Sequence, residues 1–370
     1  MRNMKLAAKI GLGFGLLIAI ACVLGGMAVF NMRNVEHEAT KLAEEYVPEV
    51  DVASNVERHA LLTMYAWRGY AFTEAKNFLD DGKRELALTQ KYLGEARAHG
   101  EKYKDLVKLR EHVGEAQAKL TEYSKLADET VVLVEAMDKD RAAMGAAAQQ
   151  FMANCADFLH SQEEALDKEI SGGASADKLA ERTHKITWVN DVIELGNEVR
   201  IKAWMAQAER KPALVEEALP NFAKMEERFD KLRAVTRQEA NLRQIALTRE
   251  AGAHYRQAML SLVKNWSALE EINKKRTVVG MALLEVCQAT ARAGMEQTDK
   301  IAAQAVESLE TASSVMISGL FGALVIGIAL AVFLTRSITK PVIMGVEFAE
   351  AMAQGDFTRT LNIPFLMNKI

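Results

Sequence analysis

Arginine on an otherwise apolar or small helical face is the feature of this sequence best suited to chemistry. Val189, Ile193, Gly196, Arg200, Ala203 and Gln207 recur at helical spacing, so Arg200 interrupts a small or apolar stripe, with Asn197 and Trp204 alongside. Arg58, Leu61, Tyr65 and Phe72 form another stripe, which puts Arg58 and Tyr65 on one face two turns apart, with Arg68 one turn beyond and slightly offset. A guanidinium in such a place presents charge-assisted, bidentate donors that can offset the desolvation of a bound carboxylate. Arg200, with Asn197 as a further donor and Trp204 as a wall, is one candidate anion site; Arg58, Tyr65 and Arg68 are another. Each has a plainer alternative. Arg58 and Arg68 could snorkel at the helix edge or pair with Glu57 and Asp51, and Arg200 could sit in a satisfied buried ion pair.

The other polar residues do not assemble into a reaction. His254, Tyr255 and Arg256 are consecutive and point in three directions, which makes them weaker candidates. Glu163-Glu164 and Glu270-Glu271 read as solvated faces, there is no HExxH or P-loop pattern, and no nucleophile-base pair can be located, so no catalysis is expected. Cys22, Cys155 and Cys287 lie in no CxxC or CxxCH arrangement, so no metal, haem or other cofactor is expected, and Cys155 and Cys287 read as small core residues. With 46 Lys and Arg against 50 Asp and Glu, the net charge of -4 argues against a nucleic-acid partner.

The elements that carry these residues are helices. Five prolines in 370 residues, few aromatics and a dominance of Ala, Leu, Glu, Lys, Met and Arg leave no turn punctuation for a sheet and favour long helices packed side by side. Leu106, Leu109, Val113, Ala116, Leu120, Tyr123, Ala127, Val131 and Val134 form one sustained heptad-like stripe. Breaks at Asp80-Asp81-Gly82, Gly100, 171–175, Lys211-Pro212, Pro220 near a helix start, and 239–241 predict helices over 40–78, 83–98, 104–170, 177–209, 219–237 and 242–312. The order short, short, long occurs twice, and YAWRGYAF resembles KAWMAQAE, which suggests a duplication. Short connections make sequential helices antiparallel neighbours. The expected architecture is therefore all-α: two stacked four-helix-bundle modules sharing two long helices, flanked by two transmembrane helices.

Those flanking helices read from two uncharged apolar runs, 10–30 and 315–334, each long enough to cross a hydrocarbon core of ~30 Å. Arg2, Lys5 and Lys9 precede the first and Arg336 and Lys340 follow the second. The positive-inside rule then puts both outer ends in the cytoplasm and the middle on the far side. The expected organisation is a cytoplasmic N-terminus (1–9), a first membrane helix (10–30), an extracytoplasmic helical domain (31–311), a second membrane helix (312–335) and a cytoplasmic segment (336–370). Counting equal distances from the membrane along the first and sixth helices brings Arg68 to the level of Arg276 and Arg58 to that of Cys287, so Arg276 completes the cationic group nearer the membrane.

After the second run comes SITKPVIMGVEFAEAMAQGDFTRTL, with Pro341 just beyond the membrane and Gly355-Asp356-Phe357 closing the helix. This closely resembles the start of a HAMP domain, the coupling module of bacterial receptors, with Pro341, Gly355 and Asp356 at its signal-coupling positions. With the helical middle, the chain resembles a methyl-accepting chemotaxis protein carrying a helical bimodular sensor domain. The resemblance implies an inner-membrane homodimer whose periplasmic domain binds small organic acids, dicarboxylic in one module and acetate-like in the other. It implies a cytoplasmic chemotaxis kinase and adaptor as partners where a full signalling domain is present. Residues 362–370, NIPFLMNKI, depart from the HAMP pattern, and no kinase, cyclase or methylation region is seen, so the chain is expected to be a fragment or an atypical truncated receptor. Two other readings stand beside it: the input half of a sensor histidine kinase, and a membrane-anchored module that binds a periplasmic solute-binding protein.

Overall fold

The computed structural model describes residues 6–356, 358 and 360, and every regular element among the described residues is helical. The fold is all-α. In chain order the helices are α1 (Leu6–Lys41), α2 (Val47–Thr73), α3 (Lys76–Lys102), α4 (Val107–Ser171), α5 (Ala176–Glu209), α6 (Ala213–Val235), α7 (Glu239–Leu334) and α8 (Lys340–Ala353). Five-residue π-helical turns, Leu42–Tyr46 and Thr335–Thr339, join α1 to α2 and α7 to α8. Each lies just before a proline, Pro48 or Pro341, whose ring and missing N–H do not fit a regular α-helical ladder unless the preceding turn widens.

The chain divides into two compact units: Met1–Ser54 with Ala96–Arg110 and Ala289–Ile370, and Asn55–Glu95 with Glu111–Gln288. In the first unit the apolar windows of α1 and α7 have mean hydropathy 2.4 and 2.6 and are almost entirely unburied. These are two helices long and apolar enough to cross a membrane. They pair antiparallel, with Gly13 facing Leu330 and Leu334, Leu17 facing Gly327, and Leu24 against Gly319, where the missing side chain admits the neighbour. Beyond them Lys41 meets Asp105 at 2.6 Å, and this hydrogen bond raises the lysine pKa and lowers that of the carboxyl. Arg110 donates to the carbonyls of Gly100, Tyr103 and Lys104 at 2.8, 2.9 and 2.8 Å, which satisfies the end of α3.

Glu49 is the unusual residue of this unit. It is 3% exposed, a Cβ on Gly294 would lie 3.3 Å from its Oε2, and burial pushes its carboxyl up to about 7. Although Glu49 opens α2, the chain before it is already helical, so no free N–H groups are there to hold the anion. Because the folded pKa lies above the ordinary 4.5, the native state holds the proton longer than the unfolded state. This contribution therefore favours folding below pH 4.5 and is lost as pH rises to about 7. Glu49→Gln is expected to remove this decline, worth roughly 3 kcal/mol, from a urea-unfolding series across that range. An unchanged pH slope would show that Glu49 is not its source.

The second unit has one continuous apolar core, from Trp67, Tyr123 and Val279 to Phe158, Leu232 and Ile245. Two four-helix groups follow one another along α4 and α7. In one, Gly69 of α2 lies under the Phe78 ring of α3, Thr63 bonds Thr89 at 3.2 Å, and Gly280 of α7 faces Met64. In the other, Phe151 of α4 reaches Gly196 of α5 and Gly252 of α7, while Arg228 of α6 pairs with Asp191 of α5 at 2.7 Å.

Several expected boundaries move. Helix α3 runs through Asp80-Asp81-Gly82, because Gly82 is a packing glycine: a Cβ there would lie 3.0 Å from the indole Nε1 of Trp67. The break comes instead at Glu74 and Ala75, where Glu74 takes the left-handed conformation (φ 59). Pro220 lies inside α6 and not near its start, since Pro212 caps the helix and α6 begins at Ala213. The sixth expected helix and the second apolar run are one helix, α7, from Glu239 to Leu334, in line with their abutting ranges.

Candidate ligand-binding site

The second unit contains a cavity of about 390 Å³ whose wall carries four arginines, Arg68 on α2, Arg141 on α4, Arg210 at the end of α5 and Arg276 on α7. Arg276 is 4% exposed. Its Nη1 donates to Thr130 Oγ1 at 2.5 Å, and Nη2 donates to the Trp67 carbonyl at 3.0 Å and to Asn273 Oδ1 at 2.8 Å. The Thr130 hydroxyl donates to the Leu126 carbonyl at 2.8 Å, which leaves its lone pairs for the guanidinium. All three acceptors are neutral. Burial lowers the Arg276 pKa and nearby Arg68 acts in the same direction, while Tyr123 opposes both. The same burial pushes the Tyr123 phenol up to about 12. No carboxylate pairs with Arg276 or Arg68 among the described residues. A buried guanidinium beside a second cation is costly unless an anion joins it.

Of the other two arginines, Arg141 is neutralised internally. Arg141 holds Glu74 in a two-pronged pair at 2.5 and 2.8 Å, also reaches Asp138 at 2.8 Å, and donates from Nε to Gln207 at 3.1 Å. The Glu74 hydrogen bond is the main reason the Arg141 pKa is raised. Arg210 lies 3.8 Å over the Phe72 ring and donates to the Phe72 carbonyl. Glu74 (φ 59) and Arg210 (φ 56) are the non-glycine residues with left-handed backbone among the described residues, and both line this cavity. Such strain persists where surrounding contacts hold it, and it clusters at functional sites.

Of the residues expected from sequence, Arg68 and Arg276 meet here. Arg58 is exposed and outside the lining, and Tyr65 is 69% exposed and meets Phe78 edge-on instead. Sequence reasoning missed Arg141, although it interrupts the stripe Val134, Met137, Met144 much as Arg200 interrupts its own. Arg210 and Glu74 carried no such signal, because turns place them.

Arg200, Trp204 and Tyr255 line a neighbouring cavity of about 680 Å³ that shares Arg141 and Gln207 with the first. Arg200 donates to Asn197 Oδ1 at 3.2 Å. Of the triplet 254–256, Tyr255 is buried and its two neighbours are exposed. Cys155 and Cys287 are free, buried thiols, both pushed up to about 12 by burial.

In the first unit, Pro341 stands in the first turn of α8, which continues directly from the widened turn Thr335–Thr339. Gly355 (φ 84) closes that helix: its N–H donates to the Met352 carbonyl at 3.1 Å and the Asp356 N–H to Ala351 at 3.0 Å, a Schellman ending. The Asp356 carboxylate accepts from the Thr358 N–H at 3.1 Å. Phe357 lies outside the described residues. Comparison with known proteins finds no family model and no curated protein that matches this sequence.

Proposed function

We propose that this chain is the sensory and membrane-spanning part of a bacterial transmembrane chemoreceptor. Residues 31–311 form a periplasmic domain that binds a small organic acid, helices at 10–30 and 312–335 cross the inner membrane, and residues from 336 begin a HAMP-like coupling segment. The observation that carries the reading is buried Arg276, without a carboxylate partner among the described residues, on the wall of a cavity of ligand size that exposed Arg68 also lines. An acid bound there touches α2 and α7 together. A small shift of α7 would then pass toward Pro341 and the turn at Gly355 and Asp356, because α7 is one helix from Glu239 to Leu334. The receptor works as a homodimer around its membrane helices, and a chemotaxis kinase and adaptor read it where a signalling domain follows.

The test is thermal unfolding of the chain in lipid nanodiscs against acetate, succinate, malate and citrate. A ligand that binds only the folded state stabilises it by about 2.7 kcal/mol at a hundred times its Kd, a rise of roughly 5 °C or more for a domain of this size. A rise with one acid is the expected result. No rise with any of them overturns direct sensing of small acids.

A further inference from the structure

We propose that Glu49 makes the seam between α2 and α7 a proton-binding site, so that the chain takes acidity as an input separate from any ligand held at Arg276. Glu49 is buried, and it shares a compact unit with the part of α7 that runs on into the second apolar stretch. The surface it meets on α7 is a glycine. A Cβ on Gly294 would lie 2.9 Å from Val50 Cγ2 and 3.3 Å from Glu49 Oε2, so the carboxyl group rests almost directly on the α7 backbone. A neutral carboxyl suits such a seam, whereas an anion there has given up its water without gaining a cation. Four residues along the same face of α7, Thr298 has a buried hydroxyl with no hydrogen-bond partner, so the seam is short of hydrogen bonds on that side as well.

The groups around Glu49 do not hold its charge. On the turn that joins α1 to α2 stand Glu45 and Tyr46, and the Tyr46 phenol is pushed up by burial and by the carboxylates of Asp105, Glu45 and Glu49, with Lys41 opposing. Lys41 is spent on Asp105, just before α4, and Arg110 of α4 on three carbonyls. From α3, His99 Nε2 meets the Glu45 carbonyl at 2.7 Å and its ring tilts against Tyr103. On α7, Arg292 and Glu296 flank Gly294 and are exposed. Burial is the cause that moves the Glu49 carboxyl up to about 7. Loss of the proton leaves an anion pressed on α7, and the strain is relieved when α2 and α7 part by about 1–2 Å, the scale of helix shifts in switching proteins. Because α7 is one helix from Gly294 to Leu334, that displacement reaches the widened turn before Pro341.

The experiment measures the distance between α2 and α7 in the full chain in nanodiscs, from about pH 5 to about pH 8.5, in buffers free of organic acids. Spin labels are placed on Val47→Cys and Gln297→Cys, both exposed positions, in a Cys22→Ser background diluted with unlabelled chain; Cys155 and Cys287 are buried. The distance is expected to grow by about 1–2 Å as pH rises, centred near pH 7. Glu49→Gln, a neutral side chain of the same size that fits the seam, is expected to keep the short distance at every pH, and His99→Gln to keep the transition. A distance that ignores pH, a transition that persists in Glu49→Gln, or one that vanishes in His99→Gln would each overturn the proposal. With no organic acid present, the outcome is independent of the Arg276 cavity, and only the step from α7 to Pro341 rests on the receptor reading.

Discussion

Arg276→Met is expected to abolish the acid-induced rise in melting temperature while leaving the unliganded protein nearly as stable as before. Methionine keeps much of the volume and carries no charge. The variant loses hydrogen bonds to Thr130, the Trp67 carbonyl and Asn273, and with them the desolvation cost of a buried guanidinium that has no carboxylate partner. These offset one another, so a net loss of no more than about 1–2 kcal/mol is expected in the apo state. The acid itself loses charge-assisted bonds worth about 1.5–3 kcal/mol each, so its affinity should fall by roughly a hundredfold or more. If Arg276 only ties α2, α4 and α7 together, the pattern reverses: stability drops by several kcal/mol and the acid response survives in whatever remains folded. Melting curves with and without ligand separate the two.

Phe151→Ala is expected to cost about 3–5 kcal/mol in chemical unfolding, the largest stability effect anticipated for a single side chain here. The Phe151 ring from α4 fits between two glycines: a Cβ on Gly196 would lie 2.7 Å from it and one on Gly252 would lie 3.6 Å away. The ring therefore sets the spacing of α5 and α7 beneath Arg200 and Tyr255, which line a small pocket with it. Gly196→Ala probes the same fit from the other side and should cost about 1–3 kcal/mol by overpacking. The two changes share one contact, so the double variant should fall short of the sum of the single losses. Strict additivity would mean that the ring is not wedged against Gly196.

Much of this molecule follows from local chemistry. Unbranched helix formers, sparse proline and sustained apolar stripes determine an all-α chain by themselves, because helical hydrogen bonds are local and a 3.6-residue period needs no partner to be recognised. The two apolar runs and the arginines at 68, 200 and 276 are legible for the same reason: each is a departure from a pattern carried on one helix. The tertiary structure decided what Gly82 and Glu74 do. Gly82 could end a helix or admit an indole, and only Trp67 from another helix selects the second. Glu74 breaks the chain because Arg141, distant in sequence, holds its carboxylate across a left-handed turn. Likewise, which cations stay unpaired depended on the fold. Arg141 found Glu74, while Arg276 found only neutral acceptors, and such pairing is set by side chains meeting from helices far apart in the chain.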